Sequence, residues 1–134
     1  LGAEALSEAV AAIGAGTSAR TPQDGSRQTY ASMLTREMSP IDWTRSAREI
    51  DCQVRGLIPW PCAACELAGR RFKVFRTAPG GRTAAPPGTV LSAGKQGIQV
   101  ACGGGESLFL TEIQAEGGKR MAAGAYLLGH PLEV

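Results

Sequence analysis

The stretch that decides the fold is Ile41–Pro61, IDWTRSAREIDCQVRGLIPWP. Asp42, Thr44 and Ser46 are all N-cap residue types, and Ser46 with Glu49 has the spacing of a capping box. In that box each side chain satisfies an orphan backbone donor of a helix's first turn. Ala47, Ile50, Val54 and Leu57 then recur at three- and four-residue steps, so they share one helical face. Gly56 weakens the helix end, and Pro59 and Pro61 cannot continue it. The tryptophans Trp43 and Trp60 flank the helix and are expected to clamp its two ends. Trp60, on a corner stiffened by two prolines, is expected to be buried, with Trp60→Ala costing about 3–5 kcal/mol.

The opposite side of this helix is cationic. Arg45, Arg48, Cys52 and Arg55 fall at the same three- and four-residue steps. Glu49 and Asp51 temper the stripe, so a solvated helix face accounts for it. Forked guanidinium donors also match phosphate oxygens, so a phosphate-facing stripe accounts for it too. The helix alone does not choose.

The wider charge pattern is informative. The 134 residues carry a formal charge of only +2, which excludes a histone-like polycation. Between Arg36 and Arg82, however, nine basic residues stand against five acidic ones, while each flank is slightly negative. Positive charge is thus concentrated in the middle of the chain, where a patch can form. The length fits one domain with some extra segment, and it is enough to bury a core without staples. No apolar run is long enough to span a bilayer. The opening LGAEALSEAV lacks the basic head and apolar run of a secretory signal, so a cytoplasmic protein is expected. The first residue is Leu rather than Met, which reads as an internal fragment.

Working outward, residues 1–14 read as a helix with Leu6, Val10 and Ile13 on one face, stopped by Gly14 and Gly16. Residues 15–40 read as a linker rich in turn signals, with Tyr30, Met33 and Leu34 as its apolar anchors. After Pro61 the period shifts toward two. Cys65–Leu67 and Arg71–Val74 read as a hairpin about Gly69-Arg70, with Phe72 and Val74 inward and Arg71 and Lys73 outward. Phe75 breaks the alternation, so a bulge or two-sided burial is expected there. Residues 79–87 read as a proline-bounded loop. Strands are expected at 88–91, 98–102 and 108–113, separated by glycine turns. A basic-ended loop at 116–120 leads to a short helix at 122–128, with Met121, Ala125 and Leu128 inward. The element order predicts a mainly β fold: a small closed barrel of five to six short strands with flanking helices, plus an N-terminal helix and an extended linker.

Chemistry-bearing motifs are sparse. His130 is the single histidine, and no nucleophile or carboxylate pattern surrounds it. The run Gly103-Gly104-Gly105 lacks a following Lys-Ser/Thr and reads as a turn rather than a phosphate cradle. Cys62 and Cys65 have CxxC spacing, but Cys52 and Cys102 are single and distant, so no second zinc half-site exists. The residues favour free, buried or half-buried thiols over a metal site, and a metal site over redox chemistry. What remains is a binding surface. Arg45, Arg48, Arg55, Arg71, Lys73, Lys119 and Arg120 beside a small barrel raise the prospect of a nucleic-acid backbone.

The ordered run of motifs resembles the C-terminal part of methionyl-tRNA formyltransferases. The resemblance rests on Thr21-Pro22-Gln23-Asp24, Tyr30-Ala31 with Leu34-Thr35, Ile41-Asp42-Trp43 with Ser46-Ala47, and Arg55-Gly56-Leu57 with Pro59-Trp60-Pro61. It continues in Pro87-Gly88-Thr89-Val90, Lys95 to Ala101, Glu112-Ile113-Gln114 and Gly118-Lys119-Arg120-Met121. The resemblance implies an enzyme that transfers a formyl group from 10-formyltetrahydrofolate, its co-substrate, to methionyl initiator tRNA. It places the folate site and the catalytic Asn, His and Asp on an N-terminal Rossmann-like domain, whose motifs this chain lacks. It implies that residues 1–14 are that domain's last helix, 15–40 the interdomain linker, and 41–134 an OB-like barrel that helps hold tRNA. The family's basic positions map onto Arg36, Lys119 and Arg120, with Arg36 where Lys is usual. Ser32 stands where Lys is frequent and Cys62 where Gly is frequent. Sugar-nucleotide formyltransferases and folate-dependent hydrolases carry a similar barrel as a structural spacer, which is the rival reading. No cofactor and no metal are expected within this stretch itself.

Overall fold

The structure, a computed structural model, describes residues 1–133. The chain divides into two compact units, Leu1–Ser32 and Met33–Val134. In the first, helix α1 spans Gly2–Gly14, and none of its residues is buried. Gly16, at φ 68°, turns the chain out of the helix. Asp24 then caps a 3-10 turn at Gly25–Arg27 by accepting from the Ser26 backbone N–H and hydroxyl. Tyr30, expected as an anchor, is 93% exposed.

The second unit is built on α2, Ala47–Gly56. Its capping box is formed as the spacing predicts: the Ser46 hydroxyl accepts from the Glu49 N–H, and the Glu49 carboxylate accepts from the Ser46 N–H. Ile50, Val54 and Leu57 are buried, and Ala47 packs beside them. Residues 33–40, which the linker reading covers, are tied to this unit. Gln53 donates to the carbonyls of Met38 and Pro40, and the Ala64 N–H donates to the Ser39 carbonyl while its own carbonyl accepts from the Ile41 N–H. Met38 packs against the core, whereas the expected anchors Met33 and Leu34 are exposed.

Six antiparallel strands follow: β1 Ala63–Leu67, β2 Arg70–Arg82, β3 Val90–Gly94, β4 Gly97–Cys102, β5 Glu106–Ala115 and β6 Met121–Ala122. Their order is β1-β2-β5-β4-β3, with β6 on β5, and the strand-rich unit is barrel-like. On the outer edge of β1 a bridge from Pro40 to Ala64 satisfies the backbone groups of Ala64, which shortens the open edge. Alternation places Phe72, Val74, Ile98, Val100, Leu108, Leu110 and Ile113 in one core with Ile50 and Val54. Burying each such side chain contributes about 1.5–3 kcal/mol, so this cluster is the main source of stability.

Several expectations are corrected. The hairpin turn is Ala68-Gly69, not Gly69-Arg70; both central residues have positive φ, as the tight turn matching strand twist requires. The region read as a loop from Pro79 to Pro87 begins as strand, since β2 runs on to Arg82 against Glu106–Phe109, and only residues 83–87 are irregular. A register shift between Pro79 and Gly81 absorbs the proline, and Gly80 lies against Ser107 so closely that a Cβ would meet its Oγ at 2.6 Å. Trp60 is 50% exposed, so its truncation costs less than burial predicts, while Trp43 packs on the core as expected. The last helix, α3, spans Ala123–Gly129 and buries Ala123 and Leu127; Met121, Ala125 and Leu128 are exposed instead. Met121-Ala122 pair with β5, which sets a different helical phase from the one the sequence implies.

Candidate nucleic-acid interface

The basic residues fall into two groups that line different depressions. The first surrounds α2. A cleft of ≈ 660 Å³ between α2 and the segment at 34–40 is lined by Arg45, Arg48, Glu37 and Glu49, with Met38 and Leu57 among its apolar walls. Its charges balance. Arg45, which precedes the helix, pairs with Glu49 at 3.3 Å, and Arg55 pairs with Asp51 at 2.9 Å. Both pairs are spaced i,i+4, as helix geometry favours. Arg48 has no ion pair among the described residues. Arg36 lies in an exposed 3-10 turn, Arg36–Met38, beside Glu37. The cationic stripe of α2 is therefore largely neutralised by its own helix. Asp51 also accepts from the Thr77 hydroxyl at 2.6 Å, which holds its carboxyl below the usual range and fastens α2 to β2.

The second group lies on the outer face of β2 and β5. Phe72 and Val74 point inward, so Arg71 and Lys73 point outward, as alternation predicts. Arg71 pairs with Glu66 at 3.5 Å; both side chains are open to water, so the pair contributes little. Lys73, paired in register with Gln114, has no ion pair among the described residues, and neither does Lys119 in the loop from β5 to β6. Arg71 and Lys73 border one depression with Gln114 and Glu116. Arg120 is held differently. Its Nε and Nη2 donate to the two Glu112 oxygens at 2.9 and 3.0 Å, and its guanidinium carbon lies 4.4 Å from the centre of the Phe75 ring. The Arg120 hydrogen bonds hold the Glu112 carboxyl below its ordinary range.

Arg76, one of the nine basic residues between Arg36 and Arg82, borders the same depression as Arg120, with Thr111 and Glu112. The broken alternation at Phe75 was the available signal for it. Nothing in the sequence signalled Thr111.

The thiols are free. Cys62 is buried with its Sγ donating to the Pro59 carbonyl at 3.1 Å, and Cys65 is half-buried. Burial pushes the Cys65 thiol up to about 12, which disfavours the thiolate form at neutral pH. Among the described residues no three His, Cys, Asp or Glu side chains gather as a metal site, and no helix is long and apolar enough to cross a membrane.

Residues 33–131 match the family described as formyl transferase, C-terminal domain. The methionyl-tRNA formyltransferase of Trichlorobacter lovleyi is 44% identical over 132 residues, covering 98% of this chain and 41% of that protein. The methionyl-tRNA formyltransferase of Bacillus subtilis is 40% identical over 136 residues, covering 98% of this chain and 42% of that protein. The chain thus spans about two fifths of the length of the curated relatives it matches. Among solved structures, HypX from Aquifex aeolicus in complex with tetrahydrofolic acid superposes with a TM-score of 0.59 at 18% identity, covering 92% of this chain and 22% of that one, a likeness of fold.

Proposed function

Since the chain belongs to the formyl transferase C-terminal domain family, we propose that it is the RNA-gripping part of a methionyl-tRNA formyltransferase acting in the cytoplasm. The whole enzyme would pass a formyl group from 10-formyltetrahydrofolate to methionyl initiator tRNA, with folate binding and catalysis on another domain. This chain's task is to hold the tRNA sugar–phosphate backbone. The observation that carries the reading is the outer face of β2 and β5, where Lys73 and Arg76, with Lys119 in the following loop, have no ion pairs among the described residues. An unpaired cation exchanges small counterions for a phosphate without first giving up a carboxylate. Arg71, Arg120 and the Arg36, Arg45, Arg48 and Arg55 group are secondary candidates. Most of these are engaged by their own acids.

Titrating tRNA with the chain at increasing salt tests the proposal. Each phosphate contact contributes about 0.7–0.9 to the slope of log affinity against log salt. Neutralising Lys73 and Lys119 together is expected to flatten that slope by roughly 1.5. Absence of salt-sensitive binding by the parent chain would sink the reading. It would favour the rival one, a spacer in a formyltransferase of another substrate or a folate-dependent hydrolase. The self-neutralised pairs at Arg45, Arg55 and Arg71 speak for that alternative.

A further inference from the structure

The irregular crossing of β2 and β5 builds more than a patch. Val74 pairs with Ile113 and Arg76 with Glu112, so Phe75 is an extra residue on β2. The next pair is Thr77 with Leu110, so Thr111 is an extra residue on β5. Two bulges, one on each strand, therefore meet at one point. Without the first, the period of two that turns Val74 inward would turn Arg76 inward as well. The bulge leaves Phe75 half-buried and Arg76 exposed. Phe75 supports the Arg120 guanidinium and Arg76 stands opposite Glu112. Bulges commonly re-aim side chains beside functional sites. The second bulge leaves the Thr111 hydroxyl buried with no hydrogen-bond partner. Arg76, Thr111, Glu112 and Arg120 line one open depression of ≈ 380 Å³.

We propose that this double bulge is a seat for a single phosphodiester of the RNA backbone, held by Arg76, Arg120 and the Thr111 hydroxyl. The inference rests on the RNA-gripping reading for its ligand and on the bulge for its geometry. Glu112 cancels one of the two guanidinium charges, which leaves one positive charge for one phosphodiester. It occupies the Nε and Nη2 donors of Arg120, so the Nη1 end remains for the ligand. Glu112 and Phe75 act through Arg120 and are positioning residues: the carboxylate fixes the fork and the ring fixes its plane. A lone buried hydroxyl is costly unless it is satisfied, and a phosphate oxygen beside it meets that need.

The test follows arginine Nε–Hε and backbone amide NMR signals of the full chain during titration with inorganic phosphate, then with tRNA. The expected result is that phosphate shifts the Arg76, Arg120 and Thr111 signals ahead of those of Arg36, Arg48 and Arg71. Arg76→Gln should abolish the response, and Thr111→Val should weaken it without lowering the unfolding midpoint, which rises if anything because an unsatisfied buried hydroxyl is removed. Phe75→Leu should shift the free Arg120 Nε–Hε signal and reduce its response to phosphate, which a purely structural ring would not do. With tRNA, Arg76→Gln should lower the salt slope by about one. Equal shifts at all surface arginines, or none, overturn the seat. So does tRNA binding by Arg76→Gln with the parent's slope, which leaves the RNA-gripping reading standing. Phosphate seated at Arg76 by a chain that binds no tRNA upholds the seat and overturns that reading.

Discussion

Helices α1 and α2 are both amphipathic, yet they end in opposite states. In α2 the apolar stripe buries Ile50 and Val54 completely, its start is closed by a reciprocal cap, and Asp51 ties it to Thr77. In α1 the stripe of Leu6, Val10 and Ile13 stays open, and Leu1 at the N-cap position gives no side-chain bond. The contrast separates two things that a periodic pattern merges. Three- and four-residue spacing states which face is apolar. It does not state whether a partner covers that face, and most helical stability comes from such cover.

The sharpest way to break the comparison is Ile50→Ala. Truncating a fully buried isoleucine is expected to cost about 2–5 kcal/mol in denaturant unfolding; a loss below about 1 kcal/mol would mean that α2 is no better packed than α1. Ser46→Ala comes next. It removes one half of the capping box and should cost about 1 kcal/mol by the same measurement, with no matching site to remove in α1. Asp51 gives a smaller effect, visible in pH. Its folded pKa lies below the unfolded value because the Thr77 hydroxyl, and then Arg55, favour the carboxylate. The resulting stabilisation is present above the unfolded value of about 3.9 and is lost as pH falls through the folded one. Thermal unfolding of Asp51→Asn should therefore fall less steeply than the parent below about pH 4, and parallel curves would remove Asp51 as the tie. Smallest of all, Val10→Ser in α1 should change stability by no more than about 0.5 kcal/mol, and a larger loss would show that α1 has cover in solution.

Legibility followed the range of the interaction. The capping box, the inward face of α2 and the outward course of Arg71 and Lys73 were all readable, because each depends on residues a few positions apart. The course of β2 through Pro79–Gly81 was not. Proline and two glycines carry a loop signature, and only the facing residues Ser107 and Leu108 make the segment a strand. Trp60 was read as buried because its prolines fix the backbone, but fixing a backbone does not bring neighbours to a side chain. The phase of α3 was misread because the pairing of Met121-Ala122 with β5 delays the helix start. In the binding surface the positions of the cations were legible, but not their partners. The pairing of Arg45 and Arg55 is written in i,i+4 spacing, whereas that of Arg120 with Glu112 and Phe75 depends on strand register.

By itself, the sequence determined the mainly β architecture, the capped helix before it, the family and the concentration of positive charge in its middle third. Those follow from periodicity, turn chemistry and motif order, which act along the chain. Only the tertiary structure decided that Arg120 is spent on Glu112, and that Arg76 stays available in the same depression. That outcome depends on how two distant strands are offset by one residue each, and the offset is set by the fit of both strands to one core.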